Sequence, residues 1–129
     1  MAWSRSWARF NRKYANPILL HVVKVSPRHG IVEHVGRRTG TPYQTPVLVF
    51  RTSTGFGMLP GYGVNSDWVL NILAAQGGGL RRLRRHYKLS EPQLLRGEDA
   101  YNAIPTKPLR RIARMNKWDG VLAVDASEG

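Results

Sequence analysis

The stretch IVEHVGRRTGTPYQTPVLVF, residues 31–50, decides the fold. Side chains alternate in period two over residues 31–35, which is the pattern of a β-strand with two different faces. Two glycines and a proline then mark a tight loop over residues 36–42, and a second apolar strand follows over residues 44–52. The stretch therefore predicts a β-hairpin.

The rest of the chain adds short elements of both kinds. Period and turn signals predict a strand at 56–59, a helix at 67–76 that ends at three glycines, a hairpin near 79–84 and 86–91, a short helix after Pro108, and a last strand around 121–124. We therefore expect residues 1–129 to form one α+β domain. We expect this domain to be a small split barrel of about six mostly antiparallel strands with two to four flanking helices.

Residues 1–16 form a separate amphipathic pattern. Trp3, Trp7, Phe10 and Tyr14 fall on one stripe of a predicted helix, and basic side chains fall mostly off that stripe. Such a helix either packs on the domain core or lies in a membrane interface, with peripheral contact through residues 1–14.

The charge balance is strongly positive. Lys and Arg number 20 against 8 Asp and Glu, which leaves a formal charge of +12 and predicts an anionic partner. The chain has no cysteine, which excludes disulfides, thiolate metal sites and cysteine nucleophiles and favours a reducing compartment. No apolar run reaches the length of a membrane span, and no secretory signal is evident. We expect a cytoplasmic protein, peripheral on the inner membrane face if residues 1–14 insert.

The turn at residues 36–40, Gly-Arg-Arg-Thr-Gly, is the best candidate site from the residues alone. Two arginines, a hydroxyl and glycine-freed backbone amides in one turn form a concavity for an anion such as phosphate. A solvated turn without a ligand fits the same spacing. A P-loop is excluded because the order of residues and the strand-to-helix setting are missing.

Other chemistries find little support. The four histidines have no metal-ligand spacing, no serine lies in a nucleophile elbow, and the glycine pairs around residues 55–63 do not meet the dinucleotide pattern. No metal site is expected. This poor inventory suits either a binding protein or an enzyme whose cofactor performs the chemistry.

Three segments, HVGRRTG (34–40), YQTPV (43–47) and NSDWVLN (65–71), resemble the deazaflavin-dependent nitroreductase family in order and spacing. The resemblance runs from about Pro17 to Pro92. It implies a split β-barrel that binds coenzyme F420, a reduced 8-hydroxy-5-deazaflavin with a phosphate and an acidic oligoglutamate tail. FMN is the alternative cofactor.

The resemblance also implies roles for individual residues. The phosphate region would be held by Arg37, Arg38, Thr39 and Gly40. The ring would be lined by Thr45, Pro46 and Val47, covered by Leu59, Pro60 and Gly61, and braced from the helix by Trp68 and Asn71. A purely structural role in the core is the alternative for Trp68.

The chain departs from the family pattern in the loop at residues 60–64, which is shorter and lacks a lysine, and in its tail. Tyr62 and Ser66 are the nearest polar groups to the expected substrate position. They are the candidate catalytic residues that orient an acceptor or return a proton.

The expected function is hydride transfer from reduced coenzyme F420 to an electron-poor small molecule such as an activated alkene, a quinone or a nitro compound. The first alternative is a noncatalytic split-barrel protein that binds a flavin or a lipid, in contact with a membrane. A nucleic-acid-binding protein is the third interpretation, and it is disfavoured because aromatic residues do not alternate with the basic run at 81–88.

Overall fold

The computed structural model describes residues 26–60, 63–118 and 120–128. In chain order its elements are β1 (His29–Val35), β2 (Pro42–Arg51), β3 (Gly55–Leu59), α1 (Asp67–Ala75), β4 (Gly77–Arg82), β5 (Arg85–Arg96), α2 (Glu98–Ala103), α3 (Lys107–Met115) and β6 (Gly120–Glu128). The strands close a barrel in the order β1-β2-β3-β6-β5-β4, and every neighbouring pair is antiparallel. The predicted α+β class with a small barrel is confirmed.

The barrel consists of two three-stranded meanders, β1–β3 and β4–β6. The predicted first hairpin runs from the pair Val35 and Pro42 to the pair His29 and Leu48. The second hairpin is also as predicted, although β5 continues to Arg96 with an irregularity between Ser90 and Gln93. Its two-residue turn has positive φ angles at both central positions, which matches the right-handed twist of the strands.

The three glycines after α1 have a different role from the one predicted. The helix ends in the left-handed conformation at Gln76, with φ of 57°, and the glycines are the first residues of β4. A Cβ atom on Gly77 would lie 2.5 Å from the Leu89 carbonyl oxygen, and one on Gly79 would lie 2.5 Å from Glu33 Oε1. The glycines therefore permit close packing around β4.

Helix α1 closes one end of the barrel. Trp68, Val69 and Ile72 on this helix are buried against inward-facing strand residues that form the main core, namely Val32, Val47, Val49, Phe56, Met58, Leu80, Tyr87, Leu89, Leu122 and Val124. Alternation along the strands supplies these residues because every second side chain points into the barrel. The position of α1 therefore follows from its apolar stripe.

Helices α2 and α3 cover the outer face of the barrel. Ala100, Ile104 and Ala113 are buried against Phe50, Leu59 and Val121 in a second core. Arg114 donates to both carboxylate oxygens of Glu98, at 3.2 and 3.1 Å, and this pairing lowers the pKa of Glu98. The sequence did not predict α2, because six residues are too few to show a helical stripe.

The amphipathic segment at residues 1–16, and with it the predicted membrane contact, lies outside the described residues. Within the described ranges, no helix has the length and apolar character of a membrane span.

Replacing Ile72 with alanine tests the role of α1 as the barrel's closing element. Ile72 is fully buried, so Ile72→Ala should lower the free energy of unfolding by about 2–4 kcal/mol in chemical denaturation. Ile112 on α3 is 43% exposed and provides the control, since Ile112→Ala should change the free energy by less than about 0.5 kcal/mol. Equal effects at the two positions would contradict the assignment of α1 to the core.

Candidate functional site: a cleft between the first hairpin turn and helix α1

The turn between β1 and β2 lies beside the first turns of α1, and the two enclose a cleft of about 450 Å³. Its volume is within the range of small-molecule sites. The lining residues are His34, Gly36, Arg37, Arg38, Thr39, Tyr43, Thr45, Asp67, Trp68 and Asn71. Residues from positions 34–45 and 67–71 thus form one concave surface.

The turn at residues 36–40 is closed by its own hydrogen bonds. Gly36 N donates to Thr41 O and Gly40 N donates to Gly36 O, both at 2.8 Å, and Gly40 has a positive φ of 73°. The two glycine amides are therefore occupied. The backbone N–H groups of Arg38 and Thr39 have no partner among the described residues, so these two amides are the ones available to an anion.

Arg37 fastens the turn to α1. Its backbone N–H and its Nη1 both donate to Asn71 Oδ1, at 3.1 and 2.9 Å, and Nη1 also lies 3.3 Å from Asp67 Oδ1. Asp67 and Asn71 are four residues apart, on one side of the helix. Much of the Arg37 guanidinium is thus committed within the protein.

The same asparagine continues the network to His34. Because Asn71 Oδ1 accepts from Arg37, its Nδ2 faces His34 Nδ1 at 3.0 Å and donates to it. His34 is then the neutral tautomer protonated on Nε2, which donates to Thr45 Oγ1 at 2.9 Å. The Thr45 hydroxyl hydrogen is therefore left for an acceptor in the cleft.

Burial sets the protonation state of His34. Desolvation lowers the pKa of His34 from its ordinary value of 6.5 to about 4, and the nearby Asp67 carboxylate only partly opposes this effect. The ring is neutral at neutral pH, as its hydrogen bonds require. It also stacks on Tyr43, with ring centroids 5.7 Å apart.

Arg38 supplies the uncommitted charge of the cleft. Its guanidinium has no hydrogen-bond or ion-pair partner within the described ranges, and it lines the cleft beside the free amides of Arg38 and Thr39. Guanidinium and backbone N–H groups in one turn are the donors that phosphate oxygens accept from. This donor set fits the phosphate of the expected coenzyme.

Two aromatic residues also line the cleft. Trp68 is only 7% exposed and belongs to the main core, yet it also lines the cleft, so the structural and ligand-lining interpretations of this residue coexist. Tyr43 provides a second ring in the lining. Two aromatic residues thus line the cleft next to the cationic turn.

The structure gathers some of the predicted site residues and separates others. Arg37, Arg38, Thr39, Thr45, Trp68 and Asn71 line the cleft. The remaining described ones do not: Gly40 has open space around it, Pro46 is exposed, Val47 lies in the main core, Leu59 lies in the second core and Pro60 is buried. Gly61 and Tyr62 lie outside the described residues.

Ser66 immediately precedes α1 but does not line the cleft. Its hydroxyl donates to the Gly63 carbonyl oxygen at 2.7 Å, and no side chain caps the start of the helix. This bond closes the turn that precedes α1. The Ser66 hydroxyl proton is committed to that carbonyl.

Sequence reasoning missed His34, Tyr43 and Asp67 as cleft residues. A signal existed for His34, because it shares a strand face with Val32 and ends that face at the turn. A polar residue at the end of an inward-facing row marks the rim of a barrel. The structure also contains no group of three potential metal-ligating residues within its described ranges.

Comparisons with known proteins identify no family for this chain. No protein-family model matches the chain, and no curated protein matches it. One solved structure with 14% sequence identity aligns over 89% of this chain and 91% of that chain, with a TM-score of 0.46. At this level of similarity nothing about function follows from that structure.

The depressed pKa of His34 predicts acid-dependent stability. The unfolded chain takes up a proton as the pH falls below 6.5, whereas folded His34 resists protonation until about pH 4. Its contribution, at most about 3 kcal/mol, is thus fully present above pH 6.5 and is lost as the pH falls to 4.

Denaturation of wild type, His34→Gln and Ile72→Ala across this pH window measures the contribution. His34→Gln should flatten the pH dependence, and Ile72→Ala is the control that removes no titratable group and should lower the stability by a similar amount at every pH. Parallel curves for wild type and His34→Gln would show that burial does not hold the ring neutral.

Proposed function

We propose that the cleft binds coenzyme F420 and that the protein transfers hydride from the reduced coenzyme to an electron-poor small molecule, such as an activated alkene, a quinone or a nitro compound. One observation carries the proposal: Arg38, two backbone N–H groups without a partner among the described residues, and Trp68 line one cleft. These are the groups that a phosphorylated, flat redox coenzyme needs.

In this proposal the chain supplies binding and orientation. Arg38 and the amides of Arg38 and Thr39 hold the phosphate, and Arg37 keeps the turn in place through Asn71 and Asp67. The Thr45 hydroxyl, oriented by His34, donates to a polar atom of the bound ring. The reduced deazaflavin supplies the hydride when it is bound.

Rate enhancement then comes from geometry. A rigid wall that holds donor and acceptor carbons roughly 3–3.5 Å apart removes most of the entropic cost of their meeting. His34 has both ring nitrogens engaged and is neutral, so it holds Thr45 in place and does not exchange protons with substrate. Tyr62 stays the candidate proton donor from the sequence.

Titration of coenzyme F420 into wild type, Arg38→Ala and Arg111→Ala, followed by fluorescence, tests the binding proposal. Arg38→Ala should weaken binding at least about tenfold, because charge-assisted hydrogen bonds to phosphate are lost. Arg111 is exposed on α3, far along the chain from the cleft, and Arg111→Ala should bind like wild type. Unchanged affinity of Arg38→Ala would contradict the proposed phosphate site.

A second measurement separates an enzyme from a binder. Reduced coenzyme is mixed with the protein and a panel of quinones, nitro compounds and activated alkenes, and its reoxidation is recorded. Turnover supports the reductase. Tight binding with no turnover on any acceptor favours the noncatalytic alternative, and preferential binding of FMN would replace the coenzyme in the proposal.

Contact with a membrane rests on residues 1–14, and liposome co-sedimentation of a chain without them tests it separately.

A further inference from the structure

A second cavity, of about 630 Å³, follows β4 between β1 and β5. We call it the β4 groove. Most of its surface is apolar, and His34 is the one residue that lines both the groove and the cleft. At its far end it reaches Ala75 and Gln76, where α1 ends. The proposed function makes no use of this groove.

Strand register places the groove on the outer face of the barrel. Glu33, Gly79 and Lys88 are direct cross-strand partners, and partners in a sheet share a face. The adjacent row, which contains Val32, points into the core. Because Gly79 has no side chain, the Glu33 carboxylate packs directly over it: a Cβ atom on Gly79 would lie 2.5 Å from Glu33 Oε1 and 3.1 Å from His86 Nε2.

The carboxylate of Glu33 is buried in the lining of the β4 groove. The side chain of Glu33 is only 5% exposed, and its two oxygens are both engaged: Oε1 lies 2.5 Å from His86 Nε2, and Oε2 accepts from Arg81 Nε at 3.1 Å. Because both oxygens are paired and the side chain is nearly inaccessible, the carboxylate is shielded from a cationic ligand. It instead holds Arg81 and His86 in fixed positions at the groove.

Several donors at the groove remain available. The Arg81 guanidinium uses only Nε in its bond to Glu33, and the Lys88 ammonium and the Ser90 hydroxyl have no partner within the described ranges. Arg81 and Lys88 are two cations against the one carboxylate of Glu33, so the groove carries net positive charge. Positive donors beside a mostly apolar surface match a molecule that is anionic at one end and apolar along its body.

We propose that the β4 groove binds an amphipathic organic anion, a carboxylate on an apolar body. The carboxylate binds the terminal guanidinium nitrogens of Arg81 and the Lys88 ammonium. The apolar body lies along the groove toward Gly77 and Ala75. This site goes beyond the proposed function and does not depend on it.

Three probes that share one chain length test the charge preference by isothermal titration calorimetry: decanoate, decan-1-ol and decyltrimethylammonium, each below the concentration at which it aggregates. Decanoate should bind at least tenfold more tightly than the other two. Equal binding of the anion and the cation would overturn the proposal, because affinity would then come from the apolar surface alone.

Paired variants test whether Arg81 and Lys88 bind the carboxylate. Arg81→Met/Lys88→Met keeps side-chain length and removes both cations, and it should weaken decanoate binding at least tenfold. The control Arg84→Met/Lys107→Met removes the same charges at exposed positions outside the groove and should bind as wild type does. Should the first double variant unfold, the exposed single change Lys88→Met should still weaken binding about threefold. Wild-type affinity in a folded Lys88→Met protein would overturn the proposal.

Glu33→Gln should change the affinity for decanoate in the opposite direction. Removing the carboxylate charge leaves the cations uncompensated, so decanoate should bind more tightly by at least threefold. Amide NMR spectra locate the ligand: decanoate should shift Gly77, Gly78 and Gly79 and leave Gly36 and Gly40 of the cleft unchanged. Shifts confined to Gly36 and Gly40 would place decanoate in the cleft and overturn the proposal.

Discussion

The side-chain amide of Asn71 is the contact that the candidate site depends on. It accepts twice from Arg37 through Oδ1 and donates to His34 through Nδ2, at distances of 2.9 to 3.1 Å. The side chain is nearly inaccessible to water, since Asn71 is 3% exposed. Loss of this amide would leave the buried Nδ1 of His34 without its partner, at a cost of roughly 1–3 kcal/mol, and would release the Arg37 backbone N–H of the turn. One helix residue thus fixes both the turn and the floor of the cleft.

The two adjacent arginines have different tasks for this reason. Arg37 is drawn onto α1 by Asn71 and Asp67, so its charge is largely neutralised within the protein. Arg38 makes no hydrogen bond or ion pair within the described ranges, and its charge stays available in the cleft. The resemblance assigns phosphate binding to both residues alike. The geometry supports a positioning role for Arg37 and a ligand-binding role for Arg38.

Much of the fold is evident from local sequence because period-two alternation and glycine-rich turns are strong short-range signals. The hairpins of β1–β2 and β4–β5 follow from them. Barrel closure, with β6 on β3 and β4 on β1, depends on contacts between distant residues that no local pattern encodes. Helix α2 was missed because Ala100 and Ile104 are held by packing, and the glycines of β4 were misread because their neighbours only become adjacent in the folded chain.

The candidate site divides in the same way. The turn at residues 36–40 and Trp68 are predictable from motif and spacing. The place of His34 in the cleft is not, because it depends on the packing of α1 beside the end of β1. Its neutral state follows from burial beside Asn71, and burial is a property of the fold. The bond from the Ser66 hydroxyl to the Gly63 carbonyl oxygen is likewise a contact that motif and spacing do not indicate.

Isotope-labelled protein titrated with coenzyme F420 tests the central claim most directly, through the amide signals of residues 36–40 and the indole N–H signal of Trp68. The turn and the helix border one cleft, so both sets of signals should shift together and saturate at the same coenzyme concentration. Shifts at the turn alone, with Trp68 unchanged at saturation, would contradict the account and reduce the turn to a surface anion site.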